Sequence, residues 1–308
     1  MKIEKKGLIY CPSDEKDWMH NSFMTPVPIL MGDKIRIFGG ILDKNNISRI
    51  GFIDVAANDP KKILYIHQEP VLDLGQNGCF DDNGVVPISA IEIEGKLHLY
   101  YIGFQLGIKV KYFMFCGLAL SDNALDFKRY SKAPVLDRNN DDLYARCGCN
   151  IIKDNDKYKM YYVGSIGKGW TENSAGKSLP LYNMKVSESA DGKDWGSKSG
   201  IECLSFENHN EHGFGRPSVI KHDNKYKMFY SIRLYEKGYR IGYAESQDGV
   251  TWQRIDSRIK DFTISESGWD SEMICYPALL KYNDKTYIFY NGNGMGKTGI
   301  GYAELLNL

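Results

Sequence analysis

Residues 216–233, RPSVIKHDNKYKMFYSIR, decide how the chain is read. An apolar strand runs into a tight turn that ends at Lys225, and a second strand rich in aromatic residues follows. The same plan recurs at 25–40 (TPVPILMGDKIRIFGG), 86–103 (VPISAIEIEGKLHLYYIG), 149–164 (CNIIKDNDKYKMYYVG) and 276–292 (YPALLKYNDKTYIFYNG). Four copies carry a proline at one place, Pro26, Pro87, Pro217 and Pro277, and Cys149 takes that slot in the third. The turn lysine follows the slot by eight residues at Lys34, Lys157, Lys225 and Lys285, and by nine at Lys96.

Each copy runs on into a third short strand: GFIDVAAND (51–59), CGLALSDNALDF (116–127), NMKVSESADGKDW (183–195), IGYAESQDGVTW (241–252) and IGYAEL (300–305). Asp191-Gly192 and Asp248-Gly249 are hairpin dipeptides, because the positive φ of such turns suits Asp and Gly. Phe127, Trp195 and Trp252 then open a fourth strand. A period of about 60 residues fits four short strands with their turns, and units repeated radially make a propeller.

The expected fold is therefore all-β, a five-bladed β-propeller of four-stranded antiparallel blades forming one domain over 1–308. The blades span approximately 20–75, 80–138, 144–206, 212–260 and 268–308. The fifth copy lacks a last strand, and GLIYC (7–11) is spare at the other end of the chain. Pairing the two removes exposed edges, so residues 7–11 are expected to close the ring in the last blade.

In such a ring the residues before the slot converge at one mouth of the axis. Five positions upstream stand Asn21, Asp82, Tyr144, His212 and Glu272, with His20, Asp81 and Asp270 close by. Arg146 and Arg216 lie three and one residues upstream. Glu272 and Asp82 are the catalytic candidates, as general acid and as base or sugar-positioning group. His20, Asn21, Asp81, Tyr144, Arg146, His212, Arg216 and Asp270 are the substrate-binding candidates. The acids of FDDNG (80–84) and GWDSE (268–272) could equally cap loops, and Arg216 could pair with a neighbouring carboxylate.

Charge narrows the partners. Lys and Arg together number 39 against 39 Asp and Glu, so nothing draws the chain toward nucleic acid or inserts it in a membrane. The longest apolar run, Tyr112–Leu120, is far short of the roughly 20 residues of a membrane span. With no signal-peptide pattern at the N-terminus, the expected address is cytoplasmic. Seven cysteines show no pairing framework, and His209 and His212 have no third ligand beside them, so neither metal nor cofactor is expected.

The five copies, the segments Glu69-Pro70-Val71-Leu72 and Ala133-Pro134-Val135-Leu136, and the turn Ser246–Trp252 resemble one superfamily. It is the five-bladed propeller glycosidases: the arabinanase and xylosidase group, the invertase and levansucrase group, and the mannoside phosphorylases. The resemblance implies an Asp as base or nucleophile on the first blade, a tuning Asp on the second and an acid Glu on the third. Asn21 and Tyr144 occupy the first and third of these positions here, and Asp82 alone matches by position. A phosphorylase-like arrangement needs one carboxylic acid and holds phosphate with Arg, His and Tyr, which Arg146, Arg216, His212 and Tyr144 could supply.

The expected function is cleavage of a glycosidic bond, by hydrolysis or phosphorolysis, in an anionic or phosphorylated glycoside or oligosaccharide. A glycosyltransferase of surface-polysaccharide assembly and a non-catalytic carbohydrate-binding propeller are the alternatives.

Overall fold

The computed structural model describes residues 1–306. After β1 (Ile3–Tyr10), the chain forms five successive antiparallel units. The first is β2 (Asn21–Met31), β3 (Lys34–Leu42), β4 (Ser48–Ala56) and β5 (Asp59–Ile66). The second is β6 (Val85–Ile93), β7 (Lys96–Leu106), β8 (Tyr112–Ser121) and β9 (Lys128–Arg129). The third is β10 (Ala145–Asp154), β11 (Lys157–Glu172), β12 (Ser178–Ser189) and β13 (Ile201–Glu202). The fourth is β14 (Glu211–His222), β15 (Lys225–Leu234), β16 (Arg240–Ser246) and β17 (Gln253–Arg254). The last is β18 (Cys275–Tyr282), β19 (Lys285–Asn291) and β20 (Ile300–Leu305), with β1 as its fourth strand. β1 pairs antiparallel to β20, Gly7 opposite Tyr302 and Tyr10 opposite Ile300, and the ladder extends back to Ile3 opposite Leu305.

The first hairpin of every unit is closed by two residues before the turn lysine. The first of those two has positive φ in each case: Gly32, Glu94, Asn155, Asp223 and Asn283. That is the twist two-residue hairpins favour. Toward the other end, every first strand is bulged at the slot. Two residues oppose one at Thr25-Pro26, Gly148-Cys149, Arg216-Pro217 and Tyr276-Pro277.

In the second unit the ladder passes from Pro87 opposite Tyr101 to Ser89 opposite Tyr100, so Ile88 is the extra residue. Ile88 stands eight residues before Lys96. The slot of that copy is therefore Ile88 and not Pro87, and the spacing to the lysine is uniform.

The first strands touch in order: β2 beside β6, β6 beside β10, β10 beside β14, β14 beside β18, and β18 beside β2. Apolar cores lie between consecutive units, as at Phe38, Phe52, Leu99 and Tyr101 between the first and second. Another core joins Phe23, Ile37, Tyr287 and Phe289 of the first and last. Each fully buried aromatic of this kind contributes roughly 1.5–3 kcal/mol, so the interfaces between units hold most of the apolar stabilisation. Among the described residues no helix is long and apolar enough to cross a membrane.

Candidate functional site

Two sets of polar residues are built by the repeat, and they differ in whether their charges are paired with opposite charge. The first set is acidic. Asp81, Asp142 and Asp270 all stand seven residues before the slot, and Tyr101, Tyr162 and Tyr290 all stand thirteen after it. Each phenol donates to its own unit's carboxylate, at 3.0, 3.1 and 3.0 Å. Each carboxylate also binds a cation: Arg129 Nε at 2.7 Å from Asp81, Lys185 Nζ at 2.6 Å from Asp142, and Lys5 Nζ at 2.7 Å from Asp270. Arg129 lies on β9 and Lys5 on β1, so Asp81 and Asp270 fasten outermost strands to the first loops, while Lys185 ties Asp142 to β12. A buried charge is tolerated when paired and hydrogen-bonded in this way.

The second set faces the axis. The bulge turns the residue just before the slot inward, with φ of 52° at Thr25, 61° at Gly148, 26° at Arg216 and 56° at Tyr276. Positive φ is costly for Thr, Arg and Tyr. All four line a cavity of about 500 Å³ to which every unit contributes. Its wall includes Ile88, Trp170, Tyr182, Arg233 and Tyr239, with Lys111 and Lys177 at exposed positions. Among the described residues, no Asp or Glu lines it.

Arg216 is the floor. Its Nη1 donates to the carbonyls of Tyr276 at 3.0 Å and Pro277 at 3.2 Å, Nη2 to Pro26 and to Ile88 at 3.2 Å, and Nε to Ile88 at 3.3 Å. One guanidinium thus ties the first, second and fifth units to the fourth. Burial pushes its pKa down to about 9, so it stays charged at neutral pH.

Arg233 is different. Its Nη1 donates to the Tyr182 hydroxyl, and its guanidinium lies 4.7 Å from the Tyr182 ring centre and 5.2 Å from that of Tyr239. Within the described residues Nε has no partner, nor do Thr25 Oγ1 and Trp170 Nε1 on the same wall. Among the described residues neither Arg216 nor Arg233 is in an ion pair. Burial raises the pKa of Tyr182, Tyr239 and Tyr276, so all three present O–H groups.

A cleft of about 320 Å³ adjoins the cavity and shares Trp170 with it. Ile108, Val110, Phe113, Leu143 and Tyr144 line it, and among the described residues Asp141 is its only carboxylate. Gly169, with φ of 81°, lets the chain pass the Tyr144 ring, since an added Cβ would stand 3.0 Å from it. Tyr144 packs tilted against Trp170 at 5.3 Å, and Tyr112 meets the indole edge-on at 6.0 Å.

Of the residues singled out in the sequence, Arg216 lines the cavity and Tyr144 the cleft. Tyr144 donates its hydroxyl to the Leu181 carbonyl. Asp81 and Asp270 are the paired acids above. Arg146, 1% exposed, does not face the axis: it lies 3.5 Å from Asp142 and donates to the Asp137 carbonyl at 3.0 Å. His212 is buried behind the cavity wall, where Nδ1–H donates to the Pro180 carbonyl at 3.3 Å and the ring packs on Tyr235. Burial and the nearby Arg233 push its pKa down to about 4. His20 binds Asp14 at 2.9 Å, and Asn21 accepts from the Ser22 hydroxyl at 2.8 Å.

Asp82 caps its own loop by accepting from the Gly78 amide at 2.8 Å, and its neighbour Asn83 lines the cavity. Glu272 is exposed, with its carbonyl accepting from Arg240 at 3.0 Å beside the wall residue Tyr239. Both therefore stand outside the cavity, at its rim. Arg233, Thr25, Tyr276, Trp170 and Asp141 were not singled out. The signal was present: the residue before the slot is inward in four copies, and in the second it is the slot residue Ile88 itself. A second inward position falls sixteen residues after the slot, occupied by Leu42, Phe104 and Arg233.

No family model matches the sequence. The fold matches that of propeller-type glycosidases. A solved glycoside hydrolase superposes with a TM-score of 0.74 at 18% identity, over 99% of this chain and 92% of that one. A glycosyl hydrolase from Bacteroides ovatus gives 0.72 at 14% identity, over 98% and 93%. A thermostable family-43 glycoside hydrolase gives 0.65 at 17%, over 91% and 88%. At such identities the likeness establishes the fold. In sequence, the chain is 32% identical over its full length, and theirs, to the uncharacterized proteins Rv1502 and MT1551 from two strains of Mycobacterium tuberculosis. It belongs to the family those two proteins define.

Proposed function

We propose that the protein is a closed five-bladed propeller enzyme that cleaves a glycosidic bond in an anionic glycoside held in the axial cavity. Two observations support the closed ring: the cyclic contacts of the first strands, and the place of β1 beside β20. The glycosidase likeness of the fold supports the reaction class. The observation that carries the substrate class is Arg233, a buried cation with an unpartnered Nε–H in a cavity without carboxylates. A phosphate or carboxylate on the sugar would complete it, since guanidinium forks bind such oxyanions bidentately. Tyr182, Tyr239, Tyr276 and Thr25 would donate to sugar or anion oxygens, and Trp170 offers an aromatic face.

With no carboxylate in the cavity, the proton donor has to come from its border. Asp141, in the cleft next to Trp170, is the carboxylate this geometry supports best as general acid. Glu272 and Asp82 act from the rim, in positioning or in activating water. A panel of chromogenic glycosides and sugar phosphates, with and without inorganic phosphate, tests the reading. Turnover is expected for an anionic member, with kcat reduced about 10²-fold or more in Asp141→Asn. A larger loss in Glu272→Gln than in Asp141→Asn moves the acid to the fifth blade. Tight binding of the panel with no turnover of any member overturns the enzymatic reading.

A further inference from the structure

The cleft beside the cavity is built for a different chemistry from the cavity itself. Its lining is mostly hydrocarbon and aromatic: Ile108, Val110, Phe113, Leu143, Tyr144 and Trp170. Two of these carry apolar side chains in the open, Ile108 fully exposed and Leu143 58% exposed, and Leu106 on the neighbouring cavity wall is 61% exposed. A single exposed aliphatic residue needs no explanation, but two at the cleft with a third on the adjoining cavity wall form a patch. Lys109 lines the same cleft, and Lys111 and Lys177 line the adjoining cavity, all three exposed. Between the two spaces lies Trp170, whose Nε1–H has no partner.

We propose that the ligand is an amphiphile: an anionic sugar in the axial cavity, joined to a hydrocarbon chain that leaves through the cleft past Trp170. This rests on the reading of the cavity as an anionic-glycoside site. Continuity through Trp170 commits the cleft to a group attached to that sugar, and its lining makes the group apolar. These three lysines suit the phosphate that links sugar to lipid, or the head groups around it. The unpartnered indole N–H stands where the linking oxygens would pass.

Calorimetric titration of the full chain with inorganic phosphate, butyl phosphate and octyl phosphate tests the proposal, all below their aggregation concentrations. Fully burying a methylene is worth about fourfold in affinity, so even partial burial should make octyl phosphate bind more than tenfold tighter than butyl phosphate. In Ile108→Asp and Leu143→Asp, exposed positions where folding is checked by circular dichroism, that increment should vanish while inorganic phosphate binds as before. Dodecyl and farnesyl phosphate then separate a straight chain from an isoprenoid, by whichever binds tighter.

Equal affinity for butyl and octyl phosphate in the parent protein overturns the proposal, as does an increment that survives both substitutions. If inorganic phosphate and all its esters fail to bind, it is the cavity reading that has failed, and the amphiphile falls with it.

Discussion

The acids seven residues before the slot and the residues one before it belong to the same repeat, yet the protein treats them oppositely. Asp81, Asp142 and Asp270 are buried and each is ion-paired, with its tyrosine and a cation within 3.1 Å, although Asp81 Oδ1 accepts no hydrogen bond. Thr25, Arg216 and Tyr276 sit in costly backbone, and the space they enclose holds cations without counter-ions. Partnered charge stabilises a fold, whereas strain and unpartnered donors persist where something else must be bound. The comparison therefore separates the residues that fasten strands from those proposed to meet a ligand, although both sets were drawn to one mouth by the same repeat.

The largest expected effect lies on the fastened side. Asp142→Ala leaves Lys185 and Arg146 buried without their carboxylate, which should cost about 3–5 kcal/mol in urea unfolding. A loss near zero would show that these acids do not fasten the fold, and the comparison would collapse. Next comes Arg216, the one residue that belongs to both sides. Arg216→Met orphans the carbonyls of Pro26, Ile88, Tyr276 and Pro277. At about 1–3 kcal/mol for an unsatisfied buried group, with cavity water satisfying some of them, a loss of about 2–4 kcal/mol is expected. Arg233→Gln, which leaves no carbonyl unpaired, should cost less than about 1 kcal/mol. Similar losses in the two variants would erase the distinction between floor and wall.

A smaller effect sharpens the same line. His212 titrates near 6.5 when unfolded and is held neutral in the fold down to about 4. Below 6.5 the unfolded chain takes up a proton the folded one refuses, so stability present at neutral pH is lost as pH falls from about 6.5 to about 4. Midpoints of urea unfolding for parent and His212→Asn at several pH values measure this. The parent should lose more than the variant over that window, and parallel curves would show that His212 is not the group responsible.

The repeat made the architecture legible, because the slot, the turn lysine and the Asp-Gly turns mark strand boundaries in every copy. The spare strand at 7–11 was legible for the same reason. The site was harder to read. Which residue faces the axis depends on a bulge, and a bulge leaves no mark on strand alternation beyond one extra residue. In the second copy Pro87 mimics the slot while Ile88 occupies it, which displaced the register onto Asp82 when Asn83 is the residue on the cavity wall. Charge type misled as well. A carboxylate before a strand reads as a catalytic candidate, but Asp81 and Asp270 already have Tyr101 and Tyr290 twenty residues on to bind them. That recurring Asp-to-Tyr spacing was the available sign of a structural role. Arg233 gave the opposite sign, as a charge at the far end of an aromatic strand from Lys225 and Lys227.

The central claim is that the axial cavity is an anion site completed by Arg233, and thermal unfolding with added phosphate or sulfate tests it most directly. With chloride holding ionic strength constant and glucose as the neutral control, either anion should raise the melting temperature of the parent protein. Mass action gives about 2.7 kcal/mol at a hundredfold excess over Kd. Arg233→Gln should lose that response while melting at nearly the parent temperature in chloride alone. Equal stabilisation by glucose and phosphate, or an anion response of full size in Arg233→Gln, would contradict the account.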